Sequence, residues 1–404
     1  MNASTKMKKN IWIINEYAGS PYHGMEFRHY YLGKQLIKLD CSVNIISSNY
    51  SHLFKNLPEV SSEDIDGINY FWLKTLNYGS SRNKMRILKW FIFSFKIFLL
   101  PFKLKKPDVI IVSPMAPFPI FPSWVLAKFF SSKLIYEVKD IWPASLIELG
   151  GISPRHPLIL VMYWFEKFAL KKSDIIVSNL PNYGKYVKDR LQFNKPVEWI
   201  SNGIDLDELR ENESLEKRFY SRIPKNKFVI GYTGSVGLAN SLEYFCKCAE
   251  ILRGKKNICF IIVGNGQDKN NLIKSFGHLD NLIFIEGIPK RQVPAMLDLF
   301  DVCYAGVSKK TLYRYGVSLN KIFDYMLSGK PVIYAIDSGE INVIKLSKCG
   351  ITCEPDNVES ITSACMKIYN MTAIEQAQLG ENGKRYVVDN FTYEKFAQSY
   401  YKLF

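Results

Sequence analysis

One pattern constrains this chain more than any other, and it occurs twice. Short, mostly apolar runs bounded by turn residues alternate with amphipathic stretches of helical period, first over 10–200 and again over 227–334. Runs of three to six mostly apolar residues read as strands buried on both faces, and helices crossing over a parallel sheet supply that cover. In the first half the runs are 10–15, 42–47, 107–112, 133–138, 173–177 and 196–200. In the second they are 227–232, 259–263, 282–285, 302–304 and 331–334. The alternation predicts an α/β chain of two Rossmann-like, doubly wound parallel-sheet domains, and 404 residues suffice for two cores. We place an N-terminal domain at 1–202, a charged, apolar-poor linker at 203–226, a C-terminal domain at 227–385 and a terminal amphipathic helix at 386–404.

The formal charge of +15 predicts an anionic partner, and its distribution narrows the choice. No acidic residue lies between Asp66 and Asp108, whereas Lys74, Arg82, Lys84, Arg86, Lys89, Lys96, Lys103, Lys105 and Lys106 all do. Among them runs the aromatic-rich segment 87–100, with Trp90, Phe91, Phe93, Phe95 and Phe98 around Lys89 and Lys96. It is too short to span a bilayer, which takes ~20 apolar residues. Basic flanks around such a helix suit an anionic membrane surface better than a nucleic-acid groove. A helix buried in the core is the competing reading. Residues 1–10 lead into a strand rather than an apolar signal segment, so the expected location is cytoplasmic and peripheral to the membrane. The eight cysteines form no Cys-x-x-Cys pair and sit in apolar contexts, as reduced core residues do. The five histidines are scattered, so we expect neither metal nor cofactor.

Chemistry concentrates in the second half. In 315–334 a helix sets Asn320 and Asp324 on one face while Ile322, Phe323 and Met326 turn inward. Gly329 and Pro331 stop it, and a strand follows. Lys321 and Asp324 thereby reach the carboxyl edge of a parallel sheet, where such sheets bind ligands. Gly231, Gly234, Ser235 and Gly237 form a small-residue turn between strand and helix, suited to close approach of a phosphate. The spacing is not Gly-x-Gly-x-x-Gly. Gly264-Asn-Gly266 ends the next strand, and Gly287-Ile288 the one after.

Three such turns in one domain, followed by 315–334, resemble the donor half of GT-B glycosyltransferases, specifically the retaining GT4 family of nucleotide-sugar enzymes. The resemblance covers nearly the whole chain and implies the GT-B fold. Asp324 stands where the family has the second Glu of its Glu-x7-Glu motif, which binds the donor ribose. Gly316 replaces the first Glu, leaving Ser318 and Asn320 as substitutes for the sugar contact. That departure is similar to bacterial O-antigen and capsule enzymes of the N-acetylfucosaminyltransferase type, with their Ser-Pro-Asn-Lys loop. The family's Arg and Lys near the first donor turn are missing, so Lys321, helped by Lys309, Lys310 or Arg314, is the candidate to neutralise the diphosphate. Backbone at Gly287 and Ile288 would meet the base. In the first half Gly24 matches the glycine loop that approaches the donor phosphates, with Glu26 and Arg28 on the acceptor side. Asp140-Ile-Trp142-Pro resembles a segment of surface-polysaccharide enzymes; Asp140 would orient or deprotonate an acceptor hydroxyl, or alternatively cap a helix.

The resemblance implies transfer from a nucleoside-diphosphate sugar, UDP foremost, to a lipid-linked glycan with retention, without metal. Two other readings stay open: a UDP-N-acetylglucosamine 2-epimerase, which shares the fold, and a non-catalytic binder of anionic ligands. No nucleic-acid-binding signature accompanies the charge.

Overall fold

In the computed structural model, residues 8–24, 26–79, 83–208 and 212–404 are described. Met25, where the sequence predicts a first helix, 25–39, to begin, and Arg82 of the basic stretch lie outside them. Two units divide the chain, Met1–Asn202 with Tyr393–Phe404, and Gly203–Thr392.

The first unit holds eight strands: β1 (Lys9–Ile14), β2 (Cys41–Ser48), β3 (Ser62–Ile65), β4 (Ile68–Leu73), β5 (Val109–Val112), β6 (Lys133–Val138), β7 (Ile175–Ser178) and β8 (Glu198–Trp199). They are ordered β3-β4-β2-β1-β5-β6-β7-β8. Every pairing is parallel except β3 with β4, an edge hairpin that the sequence reading missed. Its signal was present as Asp66-Gly67. Both residues have positive φ, 53° and 81°, as the tightest hairpin turns demand, and Gly67 N–H donates to Asp64 Oδ1 at 2.9 Å.

The second unit holds six parallel strands: β9 (Phe228–Thr233), β10 (Ile258–Val263), β11 (Leu282–Ile285), β12 (Val302–Gly306), β13 (Val332–Ala335) and β14 (Gly350–Thr352), ordered β11-β10-β9-β12-β13-β14. The order reverses between β9 and β12, which opens a crevice beyond the carboxyl end of β9. β10 is buried throughout, as an apolar run covered on both faces must be.

Two boundaries differ from expectation, while the one at 202/203 coincides with the division between the units. Residues 203–226 belong to the second unit, and a short helix, Lys217–Tyr220, forms inside them. Ile204 pairs with Thr392, its N–H donating to the Phe391 carbonyl at 2.8 Å, so the segment is tied down rather than a free linker. The terminal helix is Tyr393–Leu403; residue 386 lies within the preceding helix, Ala373–Asn390. The terminal helix packs on Arg28–Lys38 of the first unit, with Tyr393 against Tyr31.

Segment 87–100 is divided between core and surface. In the helix Met85–Ile97, Trp90, Phe93 and Ile97 are buried, and so is Lys89, whose Nζ lies 3.1 Å from Glu16. These residues are therefore not part of a membrane-facing surface; the ion pair draws Lys89 inward. Leu88, Phe91 and Phe95 are exposed, Phe95 by 69%. Among the described residues no helix is long and apolar enough to cross a membrane.

Candidate active site

The crevice at β9 is built from four returning segments. Its first turn leaves β9 at Thr233, whose backbone N–H donates to the Tyr325 hydroxyl at 2.8 Å while that hydroxyl donates to the Thr233 carbonyl at 3.1 Å. Tyr325 lies on the helix Asn320–Leu327, buried beside Ile322, Phe323 and Met326, so the amphipathic face read from sequence is what docks this helix at the strand end. Gly234 N–H bonds the Val263 carbonyl and Val236 N–H the Asn265 carbonyl, both at 2.9 Å, stitching the first turn to the second. Here glycine is obligatory: a Cβ on Gly264, at φ +155°, would lie 1.8 Å from the Gly234 carbonyl oxygen. The third turn joins through Gly287 N–H, which donates to Asn265 Oδ1 at 3.1 Å.

These segments enclose an open pocket of about 230 Å³. Gly234, Ser235, Gly264, Gly287, Ile288, Lys321 and Asp324 line it, all of them expected from sequence. Thr233, Val263, Asn265 and Val293 line it too and were not foreseen. Gly266, Ser318 and Asn320 were expected but do not line it. Gly266 backs the turn, packed on Val236, and Ser318 Oγ is buried without a hydrogen-bond partner. The Gly287 N–H cannot read a base as proposed, because Asn265 already occupies it.

Two charged groups face the pocket. Lys321 Nζ donates to Tyr232 Oη at 2.6 Å and to Asn240 Oδ1 at 3.2 Å, and lies close to Gly234. No carboxylate pairs with it among the described residues. Burial alone pushes its pKa down to about 7. The Asp324 carboxyl is pushed up to about 6, chiefly by burial, with Lys290 opposing and Glu208 assisting. The three cations named as helpers stand elsewhere or line no part of the pocket: Lys309 pairs with Glu354 at 2.7 Å and Arg314 with Asp337 at 3.4 Å.

In the first unit, the loop after β1 and the end of β6 share one polar network. Gly24 turns at φ +87° against Lys55. Glu26, itself at φ 61°, pairs with Lys139 and accepts from Asn15 Nδ2 at 3.0 Å. Burial would raise its pKa, but Lys139, His29 and Asn15 hold it down. Asn15 also meets His29 Nδ1, so His29 Nε2 carries the proton given to Glu137 at 2.7 Å. Arg28 spends all five donors here, on Glu137 Oε1 and on Ile200 O, Ser201 O and Asn202 Oδ1. It is a buried brace, with no donor left for an acceptor substrate. Glu137 also accepts from Tyr400 of the terminal helix. Burial works to raise the Glu137 carboxyl, yet Arg28 and His29 hold it well below the usual range.

Asp140 follows β6 and caps no helix; the next one, Ala144–Glu148, is preceded by Pro143. Its carboxylate is exposed by area but crowded on most sides. That desolvation raises its pKa, against Lys139 and together with Glu26. Trp142 packs edge-on against Trp90, centroids 5.5 Å apart. Among the described residues no cluster of three or more His, Cys, Asp or Glu is arranged to hold a metal.

Comparison with known proteins agrees with this architecture. Residues 22–208 match the family described as Glycosyltransferase Family 4, and residues 213–386 match Glycosyl transferases group 1. An uncharacterized glycosyltransferase of Methanocaldococcus jannaschii is 23% identical over 59% of this chain and 60% of its own length. The capsular polysaccharide biosynthesis glycosyltransferase CapM of Staphylococcus aureus is 21% identical over 57% of this chain and 61% of its own. The chain thus spans about three-fifths of the length of these relatives. Anabaena HepE, solved in complex with UDP-glucose, superposes over 97% of this chain and 98% of its own with a TM-score of 0.65 at 12% identity. The fold is GT-B. The chain belongs to the group 1, family 4 type of GT-B glycosyltransferases.

Proposed function

We propose that this protein is a retaining glycosyltransferase that takes a sugar from a UDP-sugar and adds it to a lipid-linked glycan during bacterial surface-polysaccharide synthesis. The carrying observation is the pocket beyond β9, where backbone turns, an unpaired lysine and a carboxylate converge. A carboxylate accepts both hydroxyls of a ribose, which is the role given to Asp324. Lys321, lacking a counter-charge, suits a diphosphate whose negative charge grows as the glycosidic bond breaks. Retention then follows front-side displacement, in which the departing phosphate oxygen takes the acceptor proton as the acceptor oxygen bonds the anomeric carbon. Asp140 orients that hydroxyl. The likeness to a capsule enzyme and to a UDP-glucose-bound structure supports polysaccharide synthesis and UDP. The loop Ser318-Leu-Asn320-Lys321 favours a donor of the N-acetylfucosamine type. A panel of UDP-, GDP- and TDP-sugars tests this by protection against thermal unfolding, with product stereochemistry read by NMR. Protection by no UDP-sugar sinks the donor assignment.

The acceptor reading places the protein at an anionic membrane on its cytosolic side. Exposed Leu88, Phe91, Phe95, Leu99 and Phe102 continue into Phe121 and Trp164, an apolar surface flanked by Lys84, Lys96, Lys103, Lys105 and Lys106. Arg86 is withdrawn from that set, since it stacks on Tyr17, Trp90 and Trp142. Sedimentation with liposomes containing or lacking anionic lipid, at low and high salt, tests it. Binding indifferent to both variables refutes it.

A further inference from the structure

Tyr232, one residue before the end of β9, is wholly buried and follows an apolar run whose side chains only pack. Its hydroxyl is the junction of the site. A phenol has one proton, and here it goes to the Ser235 carbonyl at 2.6 Å. Toward Lys321 the same oxygen can therefore only accept, and the lysine donates to it at 2.6 Å. Asn240 completes the ring: its Oδ1 accepts from Lys321 at 3.2 Å while its amide nitrogen donates to the same Ser235 carbonyl at 3.0 Å. Four groups from two segments of the chain are thus locked together, the first turn on one side and the helix Asn320–Leu327 on the other. An ammonium has three donors, and two are used. The remaining charge has no carboxylate partner among the described residues, and both Lys321 and Ser235 face the pocket.

We propose that Tyr232 is the positioning residue of the pocket's anion site: it fixes the Lys321 amine and the Ser235 turn in one geometry, so that a nucleoside diphosphate meets a pre-oriented cation. This rests on the nucleotide reading of the pocket. Pre-orientation matters because a free lysine head would lose rotamer freedom on binding, which here is lost during folding instead.

The test is calorimetric titration of UDP into wild type, Tyr232→Phe, Lys321→Ala and the double variant, with uridine binding followed by ligand-detected NMR. Tyr232→Phe keeps the ring and removes only the hydroxyl. It is expected to weaken UDP binding about tenfold or more, the scale of one hydrogen bond to a charged group, while changing uridine binding less than about twofold. In the Lys321→Ala background the same change should cost less than about twofold, because both variants break one unit. Asn240→Asp is an independent variant on a half-exposed residue. It sets a carboxylate beside Lys321 as an internal rival of the diphosphate, and should weaken UDP but not uridine. An equal cost of Tyr232→Phe with and without Lys321, or equal losses for UDP and uridine, overturns the proposal. So does unchanged UDP affinity in Tyr232→Phe, which leaves the nucleotide reading standing. Wild type that binds no nucleoside diphosphate removes that reading and the proposal with it.

Discussion

Raising the pH should weaken capture of a nucleoside diphosphate, and the structure sets where and how steeply. Lys321 titrates near pH 7 because burial disfavours its charged form and no carboxylate restores it. Only the charged form attracts the diphosphate. Affinity therefore follows the protonated fraction, about one half at pH 7 and about 0.03 at pH 8.5, a loss of roughly 16-fold or ~1.6 kcal/mol. Asp324, near 6, is already ionised over that range and adds little to the slope. The last ionisation of a terminal phosphate is half complete at about pH 6 and nearly finished by about pH 7, so the slope is read above pH 7 and below the isoelectric point near 9.2. Calorimetry in two buffers of different ionisation enthalpy adds a second readout: proton uptake should approach about one per UDP by pH 8.5. Lys321→Ala should bind more weakly at pH 7 but with a flat profile. A flat profile in wild type, or the same slope in Lys321→Ala, refutes the assignment.

Three further outcomes are expected. Asp324→Ala should weaken UDP binding by roughly 1.5–3 kcal/mol in calorimetry, and unchanged affinity removes it from the ribose site. Gly264→Ala drives a methyl into the Gly234 carbonyl at positive φ, costing about 1–3 kcal/mol in urea unfolding and abolishing UDP protection; a variant that still binds UDP as wild type does contradicts the packing of the first two turns. Glu166 is buried and accepts from the Tyr186 hydroxyl at 3.5 Å; burial raises its pKa well above the usual range, against Tyr186 and Lys167. A raised folded-state pKa contributes stability present below the unfolded value and lost as pH climbs toward the folded one. Glu166→Gln, which imitates the protonated acid, should thus gain more in Tm at pH 8 than at pH 5, and an equal gain at both sinks the argument.

Elements and faces could be read from the sequence because they are local. Helix 320–327 announced its buried face through Ile322, Phe323 and Met326, and its end through Gly329, which takes φ +69°. Seven pocket residues were accessible for the same reason: ligands meet parallel sheets at strand ends, and small residues or charges placed there stand out. What stayed hidden depends on partners far apart in the chain. Nothing near Arg28 foretells that Glu137, the 200–201 carbonyls and the Asn202 side chain will consume all five of its donors. Lys89 looked like one more surface cation until Glu16, 73 positions earlier, drew it into the core. Tyr232 was indistinguishable from the apolar residues beside it, since its polar work is confined to one atom.

The missing basic residues of the first donor turn show the same principle from the other side. No Lys or Arg occurs over 231–242, so the turn we propose for the diphosphate carries no cation of its own. Lys321 comes from a helix almost ninety positions later and sets its amine beside Gly234, within the space a Cβ would need. Tyr325 on that same helix bonds the end of β9, so the helix that carries the charge is also registered against the turn that needs it. The requirement is for a cation at a point in space. In this chain tertiary packing meets it where the local sequence does not, and the acceptor hydroxyl of Tyr232 keeps the charge at that point.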